Sequence, residues 1–270
     1  MDFGRLIENA FNYTKDGLFG AWGKWILLIV LMLLPAIPFI GWAIVIGASF
    51  VMGSPDIPLL VGGFIVALVL AILLGAFYNG YQVKILRGDE PLPEVTDYGT
   101  LFSDGLKYMI IQFVYMIPVI IVLVVTLGAT LLPVISEAAA AGTIDPVPNA
   151  SMIGGLVAGI LVVIVLAIVI ALFAIIGSIR FTRTGSMGEA FNFGAILATI
   201  GSIGWGSYIL ALVIMIVIAI AYGLVTSIIS GIPRIGPIVS PIVQLVLSPA
   251  VAIFFNRYLA LVYDSAGTAQ

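Results

Sequence analysis

The sequence predicts an all-α integral membrane protein, a bundle of six transmembrane helices. Three observations support this prediction. The chain is 62% hydrophobic and only 9% charged, with a mean hydropathy of +1.27, whereas globular proteins are typically about a quarter charged. The apolar residues also form six runs, and each is long enough to cross a hydrocarbon core about 30 Å thick, which needs roughly 20 helical residues. Six such spans with short connections use up the 270 residues, so we expect a single membrane domain over 1–270.

The runs are continuously apolar rather than alternating, which favours helices over the strands of a membrane β-barrel. Lipid offers no hydrogen-bond partners, and a helix pairs its backbone groups within itself. The predicted spans are Trp25–Val51, Leu59–Tyr81, Leu106–Pro133, Met152–Ile179, Trp205–Ile229 and Ile235–Val262. Prolines predict kinks or interruptions in spans one, three and six, at Pro35, Pro38, Pro118, Pro237, Pro241 and Pro249.

Amphipathic segments precede the first, third and fifth spans. In the first, apolar residues have helical spacing, with polar residues mostly opposite, at Phe3, Leu6, Ile7, Ala10 and Phe11. The segment Tyr98–Leu106 repeats this spacing with Asp97 as a helix cap. The segment Met187–Ala198 repeats it with Ser186 and Glu189 in capping-box positions. We therefore expect three cytoplasmic interfacial amphipathic helices that lie along the headgroups.

One surface helix followed by a hairpin of two spans suggests a threefold repeat. A shift of 83 positions places Lys24 on Lys107, and a shift of 180 places Ala10-Phe11-Asn12-Tyr13 on Ala190-Phe191-Asn192-Phe193. The repeat units would cover about 1–86, 87–180 and 181–264. Each unit contains two spans, so successive copies would be parallel repeats. The alternative explanation is convergent composition, since aromatic and basic residues collect at membrane interfaces anyway.

The basic residues predict the orientation. Nine of the ten Lys and Arg residues lie before span one, between spans two and three, after span four or near the end of span six, and only Arg234 lies on the other side. The positive-inside rule then places both termini in the cytoplasm, in a multi-pass protein of the cell membrane. On the opposite side, the loop at 134–150 carries Glu137 and Asp145 and no basic residue. Asn149-Ala150-Ser151 in that loop matches a glycosylation acceptor, but it abuts span four and we do not expect modification.

Composition argues against several classes of function. A net charge of −3 without a basic stripe argues against nucleic-acid binding. The chain contains no histidine and no cysteine, which are the ordinary ligands of zinc, copper and haem and the usual groups of acid–base and thiol catalysis. No charged residue lies deep in a predicted span, so the usual parts of proton coupling and voltage sensing are missing. We therefore expect no enzymatic activity, no cofactor and no metal site.

Uncharged polar residues and one proline inside the spans are the candidates for a binding site, namely Gln112, Tyr115, Pro118, Tyr222, Gln244 and Ser248. In one interpretation they converge on an internal polar cavity, near backbone carbonyls that a proline leaves free. In the other they are hydrogen-bonding contacts between helices, worth about 0.6 kcal/mol each. Asn79, Gln82 and Asn256 lie near span ends, where we expect interfacial positions.

Acidic residues cluster between spans two and three, at Asp89, Glu90, Glu94, Asp97 and Asp104. They are candidates for docking a basic cytoplasmic partner, or for holding Mg²⁺ with a phosphorylated ligand. The alternative is a solvated turn set by Pro91 and Pro93, in which Asp97 caps a helix and the other acids balance nearby basic residues.

The same region resembles a known family. The segments that carry the resemblance are Gly80-Tyr81, Leu86-Arg87-Gly88-Asp89-Glu90-Pro91-Leu92-Pro93-Glu94, Asp97-Tyr98-Gly99, Leu101-Phe102 and Asp104-Gly105-Leu106-Lys107. Together they resemble the signature of an uncharacterised prokaryotic membrane-protein family, domain of unknown function 4013, which is common in archaea. Residues Gly185 to Phe193 also fit. The resemblance implies a multi-span membrane protein over most of the chain, and it brings no activity, substrate or catalytic residue.

Two classes of function remain. The first is a non-catalytic membrane component that associates with lipid, with a partner membrane subunit or with copies of itself, as the surface helices and the lack of reactive groups indicate. The small pair Gly155 and Gly159 favours close helix contact or a dimer. The second is a permease or channel for a small neutral or amphiphilic solute, which the repeat and the prolines favour. A polar cavity reaching the midplane would favour transport, and a core filled with Leu, Ile and Val would favour the component.

Overall fold

The structure, a computed structural model, describes residues 1–53, 56–142 and 150–267, and these residues form helices joined by short connections, with no strand. Six helical segments are long and apolar enough to cross a membrane, and the chain is a multi-pass membrane protein. Asp145 and the glycosylation acceptor at Asn149 lie outside the described residues.

Nine α-helices are described: α1 Phe3–Leu18, α2 Trp22–Leu33, α3 Ile37–Val51, α4 Ile57–Arg87, α5 Tyr98–Ala141, α6 Ala150–Thr184, α7 Phe193–Ile203, α8 Trp205–Ser230 and α9 Gly236–Asp264. The first span consists of α2 and α3, and the other five are α4, α5, α6, α8 and α9. To within one residue, every predicted span lies inside the corresponding helical segment. The all-α membrane fold is therefore confirmed.

Of the three spans in which prolines predicted a kink or an interruption, span one is interrupted and the other two are continuous helices. Span one changes to a short 3₁₀ turn at Leu34–Ala36, which contains Pro35. In contrast, α5 continues through Pro118 and Pro133, and α9 continues through two further prolines. A proline removes only one backbone donor, and neighbouring groups in a membrane helix can satisfy the freed carbonyl. A proline in a span therefore does not by itself predict a broken helix.

The three segments expected to form surface helices have different structures. The first is the separate helix α1, in which Asp2 accepts a hydrogen bond from the Arg5 backbone N–H (3.1 Å). The second is not separate, because α5 runs without a break from Tyr98 into the third span. Asp97 caps α5 as predicted, accepting from the Thr100 hydroxyl (2.6 Å) and backbone N–H (3.4 Å). The position of these segments at a membrane surface stays a prediction.

The third segment divides into a 3₁₀ turn at Met187–Phe191 and the helix α7. The predicted capping box is wrong. Ser186 makes no capping hydrogen bond through its side chain, and Glu189 pairs with Arg180 instead. The helix cap is Asn192, whose side chain accepts from the backbone N–H of Ala195 (3.2 Å). An arginine within reach competes for the glutamate because a charged hydrogen bond is stronger than a neutral one.

Each segment that precedes a hairpin packs against the second span of another hairpin, so the three junctions follow one another in a ring. Helix α1 packs against α9, the start of α5 packs against α4, and the Met187–Phe191 turn packs against α6. Two of these contacts need glycine, because a Cβ on Gly80 would lie 1.8 Å from the Leu101 carbonyl oxygen and one on Gly177 would lie 2.4 Å from that of Ala190. This arrangement agrees with the predicted threefold repeat, which stays a prediction.

Buried residues concentrate at one end of the bundle, which we call the termini side because α1 and the end of α9 lie there. Leu28, Tyr81, Ile111, Phe181 and Tyr258 are among the fully buried side chains. Towards the other end, the helices expose most of their apolar side chains, as expected where lipid tails rather than protein surround them.

Candidate binding cavity

A cavity of about 310 Å³ lies between α5 and α6 and is also bordered by α4, α8 and α9. Two helical stripes form its facing sides. The stripe on α5 consists of Tyr108, Gln112, Met116 and Val119, and that on α6 of Ala167, Ala171, Ala174 and Ser178. Residues three or four apart share one helix face, so the sequence spacing places each stripe. The small alanines of α6 leave the space open.

Few polar groups face this cavity. Among the described residues, its lining contains the polar side chains of Tyr108, Gln112, Tyr115, Ser178 and Asn256, and no Asp, Glu, Lys or Arg. The remaining lining is apolar. The cavity is therefore an apolar space with a small hydrogen-bonding patch and no formal charge.

Gln112 is at the centre of the polar patch. Its side-chain oxygen accepts a hydrogen bond from the Ser178 hydroxyl (3.1 Å), and its Nε2 donates to the Tyr108 hydroxyl over a long 3.4 Å. A carboxamide nitrogen has two donors and its oxygen has two lone pairs. The amide of Gln112 can consequently bond to a ligand while it stays oriented by Ser178.

Tyr115 also lines the cavity, but its hydroxyl is already engaged in a hydrogen bond within the protein. It donates to the backbone carbonyl of Ala190, and its ring lies 5.3 Å from that of Phe191. Tyr115 thus holds the Met187–Phe191 turn against α5. Its contribution to a binding site is an aromatic surface rather than a free hydroxyl.

The other four candidates lie elsewhere. Pro118 is in α5 but does not line the cavity, and Tyr222 lines a separate groove between α1, α8 and α9. Gln244 donates to the Ser240 hydroxyl on its own helix (2.9 Å). Ser248 donates to the Leu245 carbonyl (3.0 Å). The structure therefore brings together Gln112 and Tyr115. Gln244 bonds only within α9 among the described residues, whereas Ser248 also donates to Met32 Sδ of α2 (3.1 Å), a contact between helices as in the second interpretation.

The predicted binding residues did not include Tyr108, Ser178 and Asn256. Tyr108 lies one helical turn before Gln112, so its position on the same face was available as a signal. Asn256 and Gln82 were expected at the interface, but the Asn256 amide donates to the Gln82 side-chain oxygen inside the bundle. Gln82 is buried, and its Nε2 has no hydrogen-bond partner among the described residues. Only the packing of α4 against α9 shows that these two amides meet.

Most residues of the acidic cluster form ion pairs or hydrogen bonds within the chain. Glu90 pairs with Arg257, Glu94 with Lys24 (2.7 Å), and Asp104 with Arg87 (2.8 Å) and more distantly with Lys107 (3.9 Å). Asp97 caps α5, and the hydrogen bonds from the Thr100 side chain and backbone lower its pKa below the ordinary value. The backbone carbonyl of Asp89 accepts from the Tyr13 hydroxyl (2.8 Å). The connection between α4 and α5 is therefore packed against neighbouring helices, and four of the five acids of the cluster are engaged inside the chain.

Comparison with known proteins agrees with the architecture. A family model described as "Protein of unknown function (DUF4013)" matches residues 63–231, well over half of the chain. No curated protein and no solved structure matches. The matched region includes α5 and α6, which form the two facing sides of the cavity, together with most of α4 and all of α8. The chain is thus a multi-pass membrane protein that belongs to the DUF4013 family.

Proposed function

We propose that the protein is a non-catalytic membrane component that binds an uncharged amphiphilic molecule in the cavity between α5 and α6. The observation that supports this proposal is the amide of Gln112 in a cavity otherwise lined mainly by apolar side chains. A charged ligand group would lose its hydration there and gain no counter-ion, which costs several kcal/mol. A neutral group that both donates and accepts hydrogen bonds suits Gln112, and an apolar body suits the alanine stripe of α6.

We also propose that the protein lies in the cell membrane with both termini in the cytoplasm. The support is the charge distribution, with nine of the ten basic residues on the termini side. In the structure, several of these cations form ion pairs that join different helices and loops, as Lys24 does with Glu94 and Arg183 with Asp264 (2.8 Å).

Membrane lipid is the partner that this proposal requires, and a homo-oligomer or a partner subunit is not needed. The Gly155 and Gly159 face that suggested a dimer is used within the chain. A Cβ on Gly159 would lie 1.8 Å from Thr126 Cγ2 of α5, and one on Gly155 would lie 2.8 Å from Thr130 Cγ2. This small-residue pair therefore supports the packing of α6 against α5.

The test is the recovery of a bound molecule. The full chain is purified in mild detergent and its small-molecule content is identified by mass spectrometry after denaturation. We expect a neutral amphiphile at close to one per chain, and we expect its occupancy to fall severalfold in Gln112→Leu. Ala171→Phe, which fills the cavity from α6, should have the same effect.

Gln244→Leu is the matched control, because it makes the same chemical change at an amide that bonds to Ser240 outside the cavity. The proposal is overturned if the molecule is absent from the wild-type protein, or if Gln112→Leu and Gln244→Leu retain it equally.

The permease alternative has one observation in its favour. Spans of all three hairpins border the cavity, because α4, α8 and α9 also line the space between α5 and α6. A transport cycle would have to open a path through the termini side. There Gly80 meets the Leu101 backbone and Gly105 meets the Ala76 carbonyl oxygen, where added Cβ atoms would each lie 1.8 Å from an oxygen. Close backbone packing of this kind favours a fixed binding component. Uptake of the identified molecule by proteoliposomes, abolished by Gln112→Leu, would favour the permease.

A further inference from the structure

A second, separate groove of about 470 Å³ lies beneath α1, between α8 and α9. Its lining is almost entirely apolar, with Phe11 from α1, Ile218 and Tyr222 from α8, and Ala250 and Phe254 from α9 among its residues. One charged residue of the described chain lines it, Lys15, which is on α1. The groove is therefore an apolar space with a single cation beside it.

The equivalent junctions elsewhere in the ring contain aromatic side chains. Where the start of α5 packs on α4, Phe77 lies 5.4 Å from Phe102 and 6.5 Å from Tyr98, measured between ring centroids. Where α7 packs on α6, Phe173 lies 5.9 Å from Phe193. At the junction of α1 with α9 the groove also has aromatic residues, including Phe11 and Phe254, but no contact between two aromatic rings joins these helices in the described chain. Small residues such as Thr14 and Ala250 line the groove there. An apolar gap in a packed structure forfeits dispersion contacts unless something occupies it.

We propose that this groove binds one acyl chain of an anionic phospholipid, whose phosphate contacts Lys15. The occupant follows from the setting, because α8 and α9 are membrane spans and the groove runs along them from the end where α1 lies. Along α9 its lining extends from Phe255 to Leu247, a rise of about 12 Å at 1.5 Å per residue. That length is close to the roughly 15 Å of one leaflet's hydrocarbon.

The surroundings of Lys15 suit a headgroup. Its only ion pair in the described chain is with the adjacent Asp16 at 3.6 Å, and both side chains are exposed. Such exposed pairs are worth little and exchange readily. Phe11, Phe19 and Trp22 are exposed beside it, and aromatic side chains favour the headgroup level of a membrane. Lys15 can thus exchange its neighbour for a lipid phosphate without leaving a buried charge unpaired.

The test is native mass spectrometry of the full chain, titrated with phosphatidylglycerol and with phosphatidylcholine of identical acyl chains. We expect one tightly held lipid per chain, with about fivefold tighter binding of phosphatidylglycerol, the ratio that corresponds to roughly 1 kcal/mol for one lysine near an anionic headgroup. Lys15→Gln should remove the headgroup preference. Ala250→Phe, which fills the groove, should remove the tightly held lipid of either type.

Two matched controls separate specific from general effects. Lys107→Gln removes a cation of similar side-chain exposure (42%, against 48% for Lys15), and Ala219→Phe adds the same ring to an exposed position on α8 outside the groove. Both should bind phosphatidylglycerol as the wild type does. Gln112→Leu should also do so, which keeps this inference distinct from the proposed cavity function.

Three results would overturn the inference. The first is an unchanged headgroup preference in Lys15→Gln. The second is retention of the lipid by Ala250→Phe. The third is a change of Ala250→Phe from dimer to monomer with lipid binding unaltered, which would make the groove an interface between two copies of the chain.

Discussion

Arg257 of α9 pairs with Glu90 of the α4–α5 connection across the termini side of the bundle. The same guanidinium donates to Asn9 Oδ1 (3.2 Å) and lies 4.6 Å from the centroid of the Tyr13 ring, both on α1. The two charges differ in environment, since the Arg257 side chain is 4% exposed and that of Glu90 is 61% exposed. One buried cation thus joins the last helix, the first helix and the loop between spans two and three.

The first prediction follows from this difference in burial. Glu90→Gln should destabilise the protein more than Arg257→Met, because it leaves a buried cation without its counter-charge, at a cost of about 3 kcal/mol. Arg257→Met leaves a carboxylate that is already largely in water and keeps the aliphatic volume. Thermal unfolding in a fixed detergent measures the order of the two variants. A larger loss of stability in Arg257→Met would contradict this account of the pair.

The second prediction concerns the contact of α4 with α5. Gly80→Ala should destabilise the protein by about 1–3 kcal/mol, the usual cost of overpacking, because its methyl group would overlap the Leu101 carbonyl. Gly62→Ala on the same helix meets open space and should be neutral or slightly stabilising, as alanine favours a helix. The midpoint of thermal unfolding compares the two, and equal midpoints would show that α4 and α5 are not this close.

The third prediction is a pH dependence. The side-chain hydrogen bond from Arg180 lowers the pKa of Glu189 below its ordinary value of 4.5. The stabilising contribution is therefore present above about pH 4.5 and is lost as the pH falls through the lower pKa of the folded state. Glu189→Gln should be less stable than the wild type at pH 7, and the difference should shrink on acidification. Unfolding midpoints measured from pH 7 to pH 3 test this, and a constant difference would contradict it.

The fourth prediction tests the orientation. The chain contains no cysteine, so a single introduced cysteine reports one position without background. Asp16→Cys, exposed on the termini side, should be shielded from an impermeant maleimide in intact cells, whereas Met52→Cys, exposed near the other end, should react. Both should react after the membrane is permeabilised. The reverse pattern would place the termini outside the cytoplasm.

Much of the fold was predictable because the residues of each apolar run determine by themselves that the run forms a membrane-spanning helix. An apolar run such as Trp205–Ile229 must satisfy its own backbone in lipid, and a helix does so wherever the run occurs. The cap at Asp97 was predictable for the same reason, as its partner Thr100 is three residues away. The capping box predicted at Ser186 is absent, because Glu189 pairs with Arg180 on the preceding helix.

The candidate site was only partly predictable. Gln112 and Tyr115 share a helix face, so their common location follows from spacing. The meeting of Gln82 with Asn256 joins residues 174 positions apart, and hydropathy carries no information about which faces of two apolar helices touch. Lys15 counted in the sequence only as one of the basic residues that predict the orientation, since the groove beside it exists only where α1 packs between spans of the third hairpin.

The amino-acid sequence by itself determined that this protein lies in a membrane, how many spans it has and where they begin and end, and on which side its basic residues are expected. These properties depend on the transfer of local segments between water and hydrocarbon. The tertiary structure decided which polar groups meet and where small side chains leave space. It also decided that Lys24 and Arg257 hold acids of the α4–α5 connection and that Arg87 holds Asp104 of α5. Those outcomes depend on contacts between helices distant in sequence, whose energies come from shape and pairing rather than from hydropathy.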